Sequence, residues 1–314
     1  MKCIGCIILV LLFTIFTSKS QVNNVKDTSY TIYSAWKKLK KEYPNVLIAK
    51  TQESAELVLM PDQVYACRGQ RLLSLDLWLP NRDLNSSKAL VIMIHGGGWR
   101  SGNKSMLAPL AKKIAKGGYA AASLEYRLSH EAIYPAAIND IKDAIGYLRR
   151  NKNTYGIDTS KIVILGCSAG ATLASLVAVL ENNKNKDLPR IKALINIDGV
   201  VDLTDPNESG KDSCPDKPSA AAMFLGCTYK ESPELWLESS AIMHVGVNSP
   251  EALFINSTVP RFHAGRDQFV SVLMKNKIYH EVHTVDDSPH TFWLFDPWFE
   301  KTSTYIIDFL NRRL

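Results

Sequence analysis

At 314 residues, with 46% apolar and 22% charged side chains, the chain reads as one large globular domain or two small ones, and its composition excludes a disordered or fibrous protein. Its formal net charge of +6 is mild. The one dense basic run, Lys37-Lys38-Leu39-Lys40-Lys41, reads as a solvated helix face, so no nucleic-acid partner is expected.

Residues 1–20 stand apart. Lys2 supplies a positive start, Ile7 to Phe13 an apolar run, and Ser18-Lys19-Ser20 small residues where a leader is cut. This is the pattern of a secretory signal peptide, with Gln21 as the mature N-terminus. The apolar stretch from Cys3 to Thr17 is short for a bilayer span, so the mature chain is expected to be secreted or periplasmic, with no membrane partner after cleavage. Removing Lys2 and Lys19 leaves 35 basic against 31 acidic residues, a net +4. Four cysteines remain: Cys67, Cys167, Cys214 and Cys227. Cys167 reads as a small buried hydrophobe. Cys214 and Cys227 flank one irregular segment, where a bridge or two free thiols are both open. No C-x-x-C spacing points to a metal, and no cofactor is expected.

Residues 21–60 are expected to form an N-terminal helical extension, with a helix from Thr28 to Tyr43 ending at Pro44. The main domain then occupies 61–314. Residues 63–67 and 72–79 form an antiparallel pair around a turn at Gly69. From there, apolar runs at 89–94, 119–125, 161–165, 191–197, 252–256 and 278–285 predict strands. Helical patterns lie between and after them at 104–116, 135–150, 169–182, 265–275 and 299–312. That alternation predicts an α/β fold, a mainly parallel sheet covered on both faces. Residues from about 203 to 247, rich in Asp, Ser, Pro and Gly, interrupt the pattern and read as a lid-like insertion.

Two glycine motifs follow strands. Gly166-Cys167-Ser168-Ala169-Gly170 sits between the apolar run 161–165 and a helix, the context of a nucleophile elbow, where a sharp turn exposes the Ser168 hydroxyl. His95-Gly96-Gly97-Gly98-Trp99 follows the strand 89–94. Consecutive glycines let backbone N–H groups approach a developing oxyanion, so Gly97, Gly98 and the amide of Ala169 are the candidate donors. Both motifs fall at the C-terminal edge of the sheet, where open α/β sheets keep their sites.

A serine hydroxyl needs a base, and histidine is the usual one near neutral pH. Among seven histidines, His95 belongs to the glycine loop and reads as structural, while His280 and His283 lie in a predicted strand. His290 follows the last core strand, and the chain order Ser, Asp, His places the base there. The acid is harder to find, because no carboxylate occurs in Phe254-Ile255-Asn256-Ser257-Thr258-Val259-Pro260. Asp198, at the end of the strand 191–197, is favoured, and Asp267, on the following helix, is the alternative.

With these residues placed, the chain resembles the α/β-hydrolase superfamily over about residues 60–312. Within it, the chain is similar to hormone-sensitive-lipase-like carboxylesterases and to bacterial acetylxylan and feruloyl esterases. Glu125-Tyr126-Arg127-Leu128, followed by Tyr134-Pro135-Ala136-Ala137 and Asp140, matches a further segment of those enzymes. The chain departs from them at Ser257 to Pro260, where their usual acid is missing. A narrower similarity, over 256–267 and 288–295, is to secreted esterases acting on plant polysaccharides, including pectin. It implies removal of acetyl, methyl or feruloyl groups from xylan or pectin by a serine carboxylesterase. Trp99, Phe292 and Trp293 would then offer platforms to sugar faces, and Arg261, His263 and Arg266 would meet a uronate carboxylate. A serine peptidase and a general short-chain lipase or esterase on the same scaffold are the alternatives, and a fold retained only for binding is a third. Oligomeric state is left open by the sequence.

Overall fold

The computed structural model describes residues 30–51, 54–81, 87–184, 189–209 and 218–314. The leader read at 1–20 lies outside the described residues, as does Cys214 with any bridge to Cys227.

Alternation along the strands builds two cores. In β4 (Lys88–Ile94), Leu90, Ile92 and Ile94 face one cluster while Val91 and Met93 face the other, because successive side chains point to opposite sides of a pleated strand. Both clusters are buried, so the strand reads as one continuous apolar run rather than an alternating one. Among the described residues the main sheet has eight strands in the order β2-β3-β5-β4-β6-β7-β8-β9. These are β2 (Leu57–Arg68), β3 (Arg71–Pro80), β5 (Ala120–Leu124), β6 (Ile157–Cys167), β7 (Ile191–Ile197), β8 (Glu251–Asn256) and β9 (His280–Thr284), together with β4. β3 pairs antiparallel with both its neighbours, and from β5 to β9 every pairing is parallel. The fold is therefore α/β, with a mostly parallel sheet flanked by helices.

The helices follow the pattern read from the sequence. α2 (Ala108–Lys116) is preceded by a 3₁₀ turn at Lys104–Leu107. α3 (Ala136–Arg150), a short α4 (Lys152–Tyr155) and α5 (Ala169–Lys184) come next, and α9 (Arg266–Lys275) and α10 (Trp298–Arg313) cover the C-terminal half. α2 and α10 pack on one face, and α3 and α5 on the other. The hairpin at Gly69 is present, Arg68 pairing with Arg71 across the turn.

Two regions depart from expectation. Among the described residues of 21–60, helix is confined to α1 (Ile32–Leu39), while β1 (Leu47–Ile48) pairs with β10 (Phe295–Asp296) and β2 already begins at Leu57. β2 reaches back that far because it pairs along nearly the whole of β3, Leu57 lying opposite Pro80. Within 203–247 the described residues hold only short helical pieces, α6 (Pro206–Ser209), α7 (Ala220–Leu225), α8 (Pro233–Glu238) and a 3₁₀ turn at Ala241–Met243. They are anchored by Phe224 and Trp236, both buried in the core.

Candidate active site

Three neighbouring parallel strands, β6, β7 and β8, deliver the polar centre, because they end level with one another. Cys167 pairs with Ile197, and Ile197 with Ile255, so the residues that follow, Ser168, Asp198 and Asn256, lie side by side at the strand ends. The Ser168 N–H donates to Ile197 O at 2.8 Å, and the Asp198 N–H to Ile255 O at 2.9 Å. Both residues hold positive φ, 53° each, a region disfavoured for side chains other than glycine and met mainly where the surroundings impose it.

Close packing enforces the turn at Ser168. A Cβ on Gly170 would overlap the carbonyl oxygens of Ile94 and His95, so α5 starts pressed against the end of β4. Cys167 is buried in the core on the α2 and α10 face of the sheet, and burial pushes its thiol pKa well up, in keeping with an inert hydrophobe. Ala169 is the first residue of α5, and helix geometry gives its N–H no intrahelical acceptor.

The glycine loop lies alongside. Gly97, Gly98 and Trp99 all have positive φ, and a Cβ on Gly97 would overlap the Ser101 carbonyl. The carbonyl of Gly97 accepts from the N–H groups of Arg100 and Ser101, both at 3.2 Å, and from Ser101 Oγ at 2.9 Å. His95 braces the loop from below. Its Nδ1 lies 2.8 Å from Gly96 O, its ring stacks on Tyr126 at 4.5 Å, and the Tyr126 hydroxyl donates to His95 O at 3.0 Å. Burial lowers the pKa of His95 to about 4, so it is neutral and Nδ1 carries the proton it donates. Arg127, beside Tyr126, is held by a fork onto buried Asp140, with two side-chain bonds of 2.8 Å. The segment 125–140 noted in the sequence thus supports the loop.

His290 completes the centre. Its Nε2 lies 2.7 Å from Ser168 Oγ, and its Nδ1 lies 2.7 Å from Asp198 Oδ2. A carboxylate can only accept, so Nδ1 carries the proton and Nε2 presents its lone pair to the Ser168 hydroxyl. Asp198 is fully buried. Its carboxylate also accepts from the Ser257 hydroxyl at 2.7 Å, the Ser257 N–H at 2.9 Å and Asn256 Nδ2 at 3.4 Å. Phe262 lies flat on the imidazole with ring centroids 3.3 Å apart, and Trp293 meets it edge-on at 5.4 Å.

The remaining sequence candidates divide. Asp267 is not part of this centre: it is exposed on the first turn of α9 and paired with Arg266 at 2.8 Å. Arg266 also donates to Asn256 Oδ1 at 3.0 Å, and His263 Nε2 lies 2.9 Å from Ser257 O and 3.8 Å from Asp198 Oδ1. Both therefore sit behind the carboxylate rather than in the open cleft. Burial, then the Arg266 charge, lowers the pKa of His263. Arg261 is exposed above the Phe262 ring at 5.2 Å. Trp99 is 5% exposed and stacked on Phe224, so it is a wall and not an open platform. Phe292 is wholly buried and offers no platform, whereas Trp293, also buried, lines the cleft.

That cleft is a cavity of about 310 Å³ in front of Ser168, lined by the glycine loop, Tyr30, Met106, Phe262, His290 and Trp293. The sequence reading passed over Ser257, Phe262, Met106 and Tyr30. Ser257 had a signal, since it stands at a strand end where an acid was sought; the other three had none.

The family described as BD-FAE matches residues 75–279, about two thirds of the chain. The chain belongs to the BD-FAE family. Among curated proteins, the chain is 26% identical over 223 residues to the Mycobacterium tuberculosis protein named "Probable carboxylic ester hydrolase LipM", covering 68% of this chain and 50% of that one. Esterase LipC of the same organism is 27% identical over 193 residues, 59% of this chain and 47% of its own length. This BD-FAE chain thus spans about half the length of the curated relatives it matches. Among solved structures, a bifunctional GH43-CE protein of Bacteroides eggerthii is 25% identical with a TM-score of 0.67, over 81% of this chain and 38% of that one. A truncated carbohydrate esterase from gut microbiota has a TM-score of 0.66 at 24% identity, over 82% and 96% of the two chains, and shares the fold.

Proposed function

We propose that this BD-FAE protein is an exported serine carboxylesterase that removes ester substituents from plant polysaccharides such as xylan or pectin. The observation that carries the reading is the unbroken chain from Ser168 Oγ to His290 Nε2 and from His290 Nδ1 to Asp198, with 2.7 Å at each link. In the proposed reaction, Ser168 Oγ bonds to the ester carbonyl carbon while its proton passes to His290 Nε2. Negative charge collects on the carbonyl oxygen, held by the N–H groups of Gly97, Gly98 and Ala169; one such donor is typically worth ~10²–10³ in rate. The carbon–oxygen bond to the alcohol then breaks, and His290 returns the proton to the departing oxygen. Water, deprotonated by the same imidazole, adds to the acyl-serine, and the acid leaves as Ser168 regains its proton. Asp198 holds the imidazole in its tautomer and balances the charge it acquires.

The printed names of LipM and LipC support ester hydrolysis. Carbohydrate as the alcohol is what the sequence resemblance implies, and the Bacteroides eggerthii neighbour is in keeping with it. The aromatic groups of Tyr30, Phe262 and Trp293 around the cleft suit the apolar faces of sugar rings. Export is supported by the charged start, apolar run and small residues of positions 1–20. The test is direct: Ser168→Ala should abolish hydrolysis of nitrophenyl acetate, and undiminished turnover by that variant would remove the proposal. Incubation with acetylated xylan, acetylated pectin and methylated pectin, with released acetate and methanol measured, would then rank the polysaccharides.

A further inference from the structure

Ser168 stands where two chambers of unequal size meet. The larger, of about 310 Å³, contains His290, Thr291 and Trp293 on its wall. The smaller, of about 80 Å³, lies between Trp99, Thr172, Gly199, Val200 and Arg261. Gly98, Ser168, Ala220 and Phe262 border both. We infer that the small chamber receives the acyl group and the large chamber the alcohol, which makes this protein selective for acetyl esters of bulky alcohols, with Val200 and Thr172 setting the length limit. The inference rests on the esterase reading and narrows it.

Direction follows from the proton. The departing oxygen must take its proton from His290 Nε2, so it has to lie within hydrogen-bond reach of that atom. His290 lines the large chamber and not the small one. The alcohol therefore leaves on the large side. With the carbonyl oxygen directed at Gly97, Gly98 and Ala169, the remaining substituent of the carbonyl carbon, the acyl chain, points into the small side.

Size then sets the limit. An apolar protein cavity of ~150 Å³ holds one benzene ring. The small chamber has about half that volume, enough for the methyl of an acetyl group and too little for the aromatic ring of a feruloyl group. The large chamber has about twice it, at the lower end of the range for pockets that take a small ligand, ~300 Å³ and upward. Wall chemistry agrees. Val200 and Trp99 present apolar surface to the small chamber, and Trp99 is stacked on Phe224 at 5.0 Å, so its ring has a packed partner behind it. A methyl ester of a uronic acid would need the opposite arrangement, with the bulky acid on the small side. Acetyl removal is thus favoured over both methyl and feruloyl removal.

The experiment compares kcat/KM of the full chain on nitrophenyl acetate, butyrate and octanoate, on methyl ferulate and on the methyl ester of a galacturonide. A misfitting methylene typically costs roughly 10-fold or more, so acetate should exceed octanoate by at least about 100-fold. Val200→Ala, which removes two methyl groups from the wall, should raise the butyrate-to-acetate ratio about 10-fold. Thr172→Ser, removing one, is the second variant should the first fold poorly, and should shift the ratio the same way. Met106→Ala, in the large chamber, should leave that ratio unchanged. Equal turnover of acetate and octanoate, an unmoved ratio in folded Val200→Ala and Thr172→Ser, or preference for either methyl ester would overturn the assignment while leaving an esterase. No turnover of any ester, acetate included, would remove the esterase reading and the chamber assignment together.

Discussion

Replacing Asp198 by asparagine tests the polar centre most sharply, because the structure dictates how the amide must sit. The Ser257 N–H and Asn256 Nδ2 both point at Oδ1, so the amide oxygen has to take that place. The amide nitrogen is left where Oδ2 was, facing His290 Nδ1 and the Ser257 hydroxyl. A hydroxyl can turn to accept, but an imidazole nitrogen that faces a donor must itself be unprotonated. The imidazole proton is then moved to Nε2, toward Ser168 Oγ, and the lone pair that would accept the serine proton is gone. The corresponding change in a serine protease triad lowers kcat by about 10⁴, or about 5 kcal/mol of transition-state stabilisation. Because each of these hydrogen bonds has a substitute, the amide donating to Nδ1 where the carboxylate accepted from it, folding should lose only about 1 kcal/mol. The assay is kcat and KM on nitrophenyl acetate beside a thermal melt of Asp198→Asn and Asp267→Asn. The expected result is a collapse of kcat in the first with near-normal melting, and no change in the second. Asp198→Asn retaining more than a tenth of the parental kcat, or Asp267→Asn losing activity in its place, would refute the reasoning.

Ser168 sits at φ 53°, so Ser168→Gly should be inactive yet more stable by about 1 kcal/mol, read as a rise of about 2 °C in Tm; Ser168→Ala should show no such gain. Asp140→Ala removes the partner of a mostly buried guanidinium at Arg127 and should cost about 3–5 kcal/mol in urea unfolding. His95 takes up a proton near pH 6.5 when unfolded but only near 4 when folded, so the unfolded state binds more protons between those values. Stability should therefore be full above about pH 6.5 and fall on acidification toward pH 4, by up to ~1.4 kcal/mol per unit, and His95→Gln should flatten that slope in urea titrations.

Much of the fold was legible because the sheet's interior strands are buried on both faces. Residues 89–94 and 162–165 are uninterrupted apolar runs and 191–197 is broken only by Lys192 and Asn196, and the helices between them carry their own period, so both kinds of element stood out. What the sequence obscured lay where pairing across the fold decides structure. β2 reaches back to Leu57 because β3 offers a partner for its whole length, although Pro61 and Asp62 break the local pattern. β1 has only Leu47 and Ile48 and exists because Phe295 and Asp296 lie beside them. Phe292 was misjudged as a platform for a related reason, whereas Trp293 does line the cleft. Sequence marks a ring as apolar, but only packing decides that Phe292 is wholly enclosed while Phe262, from a different loop, covers the imidazole.

The polar centre shows why the acid was hard to assign and why its location is physically permissible. A histidine on the loop after β9 needs a carboxylate at one point in space, not at one place in the chain. Ile197 and Ile255 are partners in the parallel pairing of β7 and β8, so residues 198 and 256 stand at the same height at the ends of adjacent strands. A carboxylate on either strand end can reach that point. Here β8 supplies Asn256 and Ser257, whose amide, hydroxyl and backbone N–H all donate to the acid arriving from β7. Where the resemblance implies a carboxylate, this strand end carries donors that make its neighbour's burial tolerable, since an enclosed charge is stable only when hydrogen-bonded. Ser257→Asp would place two carboxylates against one imidazole. Their repulsion should hold one of them protonated and cost both stability and turnover, whereas Ser257→Ala should cost only the bond to Oδ2 and the one its hydroxyl accepts from the Val259 N–H. If Ser257→Asp instead matched the parent in Tm and kcat, the two strand ends would have to be independent, and the shared position argued from their register would be wrong.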